Sequence, residues 1–281
     1  MLIKRLVPFV IFLNFVVNLQ AQLYFPIVGT YQKKSAQGMA IWEDRAYLFN
    51  NGGHCRVLNL KTGEVEREFD LDSAGENTHV NAACFGAEVA DGGGLPCIYV
   101  SEYNRPSRCF VECINDSASS LVQTIQATEK GRPVFVQSWI VDGKGRHLYA
   151  VARQSPPKGE KNSAKVRITK YRLPLLSEGS DIVLTEYDRL DTFMAEFASG
   201  TQGGVIKDGM MYLPTGLQES ARGRFNARRT LQVIDLKKKA IKKQVDLTFL
   251  TVNEPEDIDC YQGKLLLYCG QEGGIYEISL K

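Results

Sequence analysis

The chain has 281 residues, with 34 Lys and Arg against 32 Asp and Glu, for a net charge of +2. So balanced a charge gives no global field for steering polyanions. Three histidines leave little room for imidazole catalysis or an imidazole-rich metal site, and the seven cysteines show no metal-knuckle spacing.

The first residues carry Lys4 and Arg5, then an apolar run from Leu6 to Val17 broken only by Asn14, then the small residue Ala21. That is the layout of a secretory signal peptide. A spanning helix needs about 20 apolar residues, and Asn18 and Gln20 interrupt the run before that length. Cleavage after Ala21 is expected, making 1–21 a signal peptide and 22–281 one exported, soluble domain of about 260 residues, without membrane insertion. No Cys follows the run to carry a lipid anchor.

Beyond Gln22, short runs of Val, Ile, Tyr, Phe and Leu alternate with Gly, Asn and Asp clusters, an all-β signature. A unit of three apolar strands recurs. Its first copy is Gln37-Gly38-Met39-Ala40-Ile41, a turn at Glu43-Asp44, Ala46–Phe49, and Arg56–Leu60. The second runs from His79-Val80-Asn81 through Cys97–Val100 to Cys109–Val111. The third opens at Gln137-Ser138-Trp139, turns at Asp142-Gly143 into His147–Val151 and reaches Val166–Leu173 after a polar insertion, Gln154–Lys161. Leu190, Phe193, Met194 and Phe197 have helix-face spacing, the one helical candidate, although an outer strand could carry them. The fourth copy opens at Gln202-Gly203-Gly204, turns at Asp208-Gly209 into Met211–Leu213, and continues at Leu231–Leu236. The basic cluster after it, Lys237–Lys239 with Lys242 and Lys243, reads as a solvated hairpin tip. It lacks the interleaved aromatic residues of a nucleic-acid platform. The fifth copy is Glu256–Cys260, a turn at Gln262-Gly263, Leu265–Tyr268 and Gly274–Ile278.

The openings at 37, 79, 137, 202 and 256 are 42, 58, 65 and 54 residues apart. With loop insertions these are propeller-blade intervals. The expected fold is an all-β propeller of about five blades. The last copy stops soon after its third strand, so Leu23–Val28 is the candidate closing strand from the mature N-terminus.

The succession Gln-Gly, His-x-Asn, Gln-x-Trp, Gln-Gly-Gly and Glu-Pro-Glu resembles the blade starts of secreted bacterial five-bladed propellers, over nearly the whole mature chain. The resemblance implies a periplasmic or extracellular protein. A fainter likeness is to arabinan-cleaving glycosidases and calcium-dependent nucleotidases, which place acids around the central channel. This chain has too few acids at its blade starts for either activity to be carried over.

The sequence contains no G-x-S-x-G elbow, H-E-x-x-H, Walker loop or dinucleotide fingerprint. Gly92-Gly93-Gly94 reads as a turn, and His54 and His147 as surface residues. In an oxidising compartment Cys55, Cys84, Cys97, Cys109, Cys113, Cys260 and Cys269 allow up to three disulfides of undetermined connectivity. Cys109 and Cys113 lie four apart on one strand, about 13 Å from each other, too far to bridge. Buried thiols acting as small apolar residues are the alternative.

First strands of propeller blades lie nearest the axis, so their first residues are expected to converge at one end of the channel. Gln37, His79, Asn81, Gln137, Gln202, Glu254 and Glu256 form that set, with Trp139 as a stacking wall. Amides both donate and accept, which suits a neutral polar ligand such as a glycan or peptide. Two other readings are open. The side chains satisfy one another and line a structural pore, or Glu256 works in hydrolysis with a second carboxylate (Glu254, Asp257 or Glu102) or with a bound hard cation held by oxygen ligands. No cofactor or resident metal is expected, and the chain is expected to be a monomer.

Overall fold

The computed structural model describes residues 19–25, 36–115, 118–154, 164–197, 200–217, 228–248, 250, 253–270 and 274–280. The chain is an all-β propeller of five blades. Strand β1 (Leu19–Phe25) comes first. Blade 1 is β2 (Ala36–Trp42), β3 (Arg45–Asn50), β4 (His54–Asn59) and β5 (Val65–Asp70). Blade 2 is β6 (Val80–Phe85), β7 (Ile98–Glu102), β8 (Cys109–Ile114) and β9 (Ser119–Glu129), extended by the short β10 (Arg132–Pro133). Blade 3 is β11 (Ser138–Asp142), β12 (His147–Arg153), β13 (Ala164–Arg172) and β15 (Arg189–Phe197). Between the last two, β14 (Asp181–Leu184) crosses over and pairs parallel with β9 of blade 2. Blade 4 is β16 (Val205–Lys207), β17 (Met210–Thr215), β18 (Thr230–Asp235) and β19 (Ala240–Asp246). Blade 5 is β20 (Pro255–Tyr261), β21 (Lys264–Cys269) and β22 (Gly274–Leu280), with β1 as its outermost strand.

Alternation along each strand explains the ring. In β3, Ala46 and Leu48 pack toward blade 5, whereas Tyr47 and Phe49 pack toward blade 2. Both faces of the blade are buried, so the second strands read as continuous apolar runs such as Ile98-Tyr99-Val100. One apolar cluster fills each interface between successive blades, and the fifth, with Met39, Leu58, Leu266 and Tyr268, joins blade 5 to blade 1. The turns at Asp208-Gly209 and Gln262-Gly263 have positive φ at both residues, the two-residue hairpin geometry that matches strand twist.

Ring closure uses β1, which pairs antiparallel with β22. Of the expected closing strand, Leu23–Phe25 belongs to β1, and residues 26–28 lie outside the described residues, as does most of the insertion after Gln154. The helical candidate is the outer strand β15. Its backbone is hydrogen-bonded along β13, with Leu190 and Met194 exposed and Phe197 buried against the neighbouring blade. The lysine cluster caps the β18–β19 hairpin, where Lys237, Lys238 and Lys239 are exposed.

Candidate functional site

The axis of the propeller is lined by strand edges. Side chains of an innermost strand point to the neighbouring blades, while unpaired N–H groups of its inner edge point to the channel. Those donors require partners once buried, and the next blades supply them. Asp257 on β20 is fully buried, and its Oδ2 accepts from Met39 N (2.9 Å) on blade 1 and Ala83 N (3.0 Å) on blade 2. Its Oδ1 accepts from Ile258 N (2.9 Å). Two residues on, Asp259 accepts from Ile41 N (2.6 Å) and Cys260 N (2.6 Å). Cys84 Sγ accepts from Val141 N (3.4 Å), and Ser101 Oγ from Trp139 N (2.8 Å), so blade 2 serves blade 3.

Glycine makes this convergence feasible. A Cβ on Gly203 of blade 4 would overlap the Asp257 carboxylate, and one on Gly38 would lie 3.1 Å from the Ala82–Ala83 backbone. The Gln-Gly and Gln-Gly-Gly motifs are thus close approaches of blades at the axis.

Toward the opening end, four of the five innermost strands carry one extra residue relative to their partners. The shifts fall between Ala36 and Met39, Val80 and Ala82, and Pro255 and Asp257. In blade 4 the extra residue lies between the Thr201↔Thr215 bridge and the Val205↔Tyr212 pair. Gln37, Asn81, Gln202 and Glu256 all fall within these bulges, which bend a strand and re-aim its side chains.

Hydrogen bonds join the openings of blades 2, 3, 4 and 5 in an open chain. Asn81 Nδ2 donates to Gln137 O (3.0 Å) and Ser138 Oγ (3.3 Å), and Ser138 Oγ donates to Gln202 O (2.6 Å). Thr201 Oγ1 donates to Gln137 Oε1 (3.2 Å), Gln202 Nε2 donates to Glu254 Oε1, and Gly203 N donates to Glu256 O (2.8 Å). Gln37, Asn81, Gln137, Gln202 and Glu256 are all buried. Glu256 lies against Gly270, and its Oε2 has no hydrogen-bond partner among the described residues. Burial first, and then the charges of Glu254 and Asp257, push the Glu256 carboxyl well above the ordinary range. Burial does the same to Asp257 despite its three N–H donors, and raises Asp259 to about 7.

One expected site residue, Trp139, lies away from the mouth. Trp139 shares its strand face with Gln137 and Val141, so it is buried in the apolar cluster between blades 2 and 3 and presents no stacking surface at the mouth. His79 is half-buried and packs on Tyr103, with ring centroids 5.3 Å apart. Tyr103 meets Phe135 edge-on at 5.1 Å, and the Arg105 guanidinium lies 5.0 Å from the Phe135 ring centre. Sequence reasoning missed this aromatic row because Tyr103 and Phe135 lie just outside β7 and β11, in segments without periodicity. Glu102 is paired with Arg108 (3.1 Å) on blade 2, and Glu254 and Asp257 are the carboxylates that act on Glu256. His54 and His147 are half-buried beside the carboxylates of Asp70 and Asp142. Among the described residues, no three His, Cys, Asp or Glu side chains are grouped to hold a metal ion.

No protein-family model matches the chain, and no curated protein matches it in sequence. Solved structures do. Glutaminyl cyclase of Myxococcus xanthus is similar over 94% of this chain and 98% of its own, at 12% identity and a TM-score of 0.52. The Cps50 (Swd1) β-propeller domain of Myceliophteria thermophila is similar over 88% and 83%, at 11% identity and a TM-score of 0.44. At such identities the likeness is one of fold.

Proposed function

We propose that the chain is an exported binding module that holds a neutral polar ligand, a glycan or a peptide, at the opening end of its channel. The observation that carries this reading is the half-buried row of His79, Tyr103 and Phe135, which runs from the blade 2 opening to the blade 3 opening beside the buried amides of Asn81 and Gln137. Aromatic faces with adjacent amides recognise ligands that carry both C–H faces and hydroxyl or amide groups. Export rests on the N-terminal layout of charge, apolar run and Ala21. Cleavage there would leave Gln22, Leu23 and Phe25 paired with β22, so the closing strand survives in shortened form.

The test is a glycan-array and peptide screen on the mature protein, repeated with Tyr103→Ala and Phe135→Ala. Each ring removed is expected to weaken binding by about three- to tenfold. Undiminished binding in both variants would move the site away from this row.

A second reading is hydrolysis, favoured by one observation. Glu256 is a buried carboxyl pushed well above its ordinary range, with its Oε2 unpaired among the described residues, next to Glu254, whose Oε1 is held by Gln202. Paired carboxyl groups are the pattern of acid–base catalysis in glycoside hydrolysis. Under this reading Glu256→Gln abolishes turnover of a bound glycan and leaves its binding in place. Turnover that persists in Glu256→Gln would remove the residue from any such chemistry.

A further inference from the structure

We propose that Cys97 and Cys113 form a cross-strand disulfide when the protein folds in the presence of a disulfide oxidant. The register carries the argument. Strands β7 and β8 pair Ile98 with Glu112, Tyr99 with Val111 and Val100 with Phe110, without a shift. One step further, Cys97 faces Cys113. The backbone of Cys97 turns the other way, since its N–H donates to Glu88 O (2.7 Å) and its C=O accepts from Gly86 N (2.8 Å). Toward β8 it is therefore a non-hydrogen-bonded position, where paired Cα atoms approach to about 4.5 Å and side chains come closest. That separation lies within the range a disulfide spans.

Both side chains lie on the same sheet face. Cys97, Tyr99, Val111 and Cys113 belong to the cluster between blades 2 and 3, whereas Ile98, Val100, Phe110 and Ile114 face blade 1. Among the described residues no other cysteine faces a cysteine. Cys55 is opposite Phe49 and Phe69, Cys84 opposite Tyr99, and Cys109 opposite Ser101 and Ile125. Cys260 faces Leu265, and Cys269 faces Pro255 and Gly274.

The bond ties down a functional-looking rim. A Cβ on Gly93 would come within 2.9 Å of Cys113 Sγ, so the loop from Gly86 to Pro96 folds directly over the pair. Gly92–Gly94 and Leu95, with Ile114, also line a cavity of about 720 Å³ between blades 1 and 2, whose polar wall is Arg45, Glu66 and Arg67. A Cys97–Cys113 bond would fasten one edge of that cavity to β8.

In the folded protein Cys97 is fully buried and burial pushes its thiol up to about 11, so the thiolate needed for exchange forms in the folding chain, before the loop closes. With oxidised glutathione, one cysteine thiolate attacks a glutathione sulfur and expels glutathione thiolate. The second thiolate then attacks the mixed disulfide and expels the other glutathione. Two thiol protons and two electrons leave the protein, and one disulfide of glutathione is reduced to two thiols.

The experiment refolds the mature chain in mixed oxidised and reduced glutathione, denatures it, alkylates free thiols and maps peptides by mass. The expected result is a Cys97–Cys113 cross-link with the other five cysteines alkylated. Alkylation of both, or linkage of either to a different cysteine, overturns the proposal. A second measurement follows the wild type and Cys113→Ser through thermal unfolding with and without a phosphine reductant. Reduction should lower the melting temperature of the wild type and leave Cys113→Ser unchanged. Equal sensitivity of the two proteins would also overturn it.

Discussion

The waist of the channel and its opening end are made by the same five strands, a few residues apart, and they use polar groups in different ways. At the waist, Asp257, Asp259, Cys84 and Ser101 accept hydrogen bonds from backbone donors of neighbouring blades. At the opening end, polar side chains bond mainly to opening residues of the next blade, Glu256 Oε2 has no partner among the described residues, and three aromatic rings remain half-buried. A narrow ring of blades must satisfy its own inner edges, so polarity at the waist follows from architecture. Polarity at the opening exceeds that requirement, and there a ligand has something to recognise.

The sharpest way to break this contrast is Asp257→Ala. It leaves the N–H groups of Met39, Ala83 and Ile258 without acceptors in a dry interior, and each such loss costs about 1–3 kcal/mol. Destabilisation of roughly 3–5 kcal/mol is expected, read as a fall in melting temperature on the order of 10 °C. A variant that melts like the wild type would show that the axis does not depend on this carboxylate.

Ring closure gives the next largest effect. Removing β1 (Leu19–Phe25) deletes its pairing with β22 and exposes the edge of blade 5. A loss of about 2 kcal/mol in denaturant midpoint measurements is expected, with one cooperative transition because the five clusters are contiguous around the ring. An unchanged midpoint would sink the closure role of this strand.

Much of this architecture was legible in the chain. The five openings mark the innermost strands, and the hairpins at Asp208-Gly209 and Gln262-Gly263 turn where Asp and Gly predict. Convergence at the axis was also legible in Gln-Gly and Gln-Gly-Gly, had the glycines been taken as close approaches of backbone. The orientation of the site residues was less so. Alternation tells which residues share a strand face, but in a propeller that face looks at the next blade, and the channel sees the strand edge. Trp139 was therefore assigned to the mouth and is found in the core. Asp257 and Asp259 sit on opposite sides of Ile258 with acceptors turned to strand edges, a role no periodicity records.

Acid titration separates the waist from the exposed surface. Burial pushes the Asp259 carboxyl up to about 7, so the native state binds a proton that the unfolded chain releases near pH 4. Its contribution to stability is fully present below about pH 4 and declines as pH rises through 7. The exposed pair Arg172–Glu178, at the far end of blade 3 from the opening, has the opposite sign. Glu178 is held near 2 by the guanidinium, so its small contribution is lost as pH falls below about 4.5. Unfolding midpoints of Asp259→Asn measured from pH 4 to pH 7 should decline less than those of the wild type. Parallel profiles would mean that Asp259 does not titrate there.

The smallest expected effect on stability is also the most discriminating for function. Glu256→Gln replaces a buried carboxyl, whose proton affinity burial raises, with a neutral group of the same shape. Its Oε2 has no partner to lose among the described residues, and the main-chain carbonyl that accepts from Gly203 is untouched. Stability should therefore change by no more than about 0.5 kcal/mol, the range of substitutions that break no named interaction. A carboxylate-to-amide change at Asp257 behaves differently, because an amide NH₂ would face the N–H groups of Met39, Ala83 or Ile258. If Glu256→Gln is as stable as the wild type and loses ligand turnover or changes ligand preference, the opening end is functional where the waist is structural. If it is destabilised as strongly as Asp257→Asn, Glu256 belongs to the architecture, and the distinction between the two levels of the channel collapses.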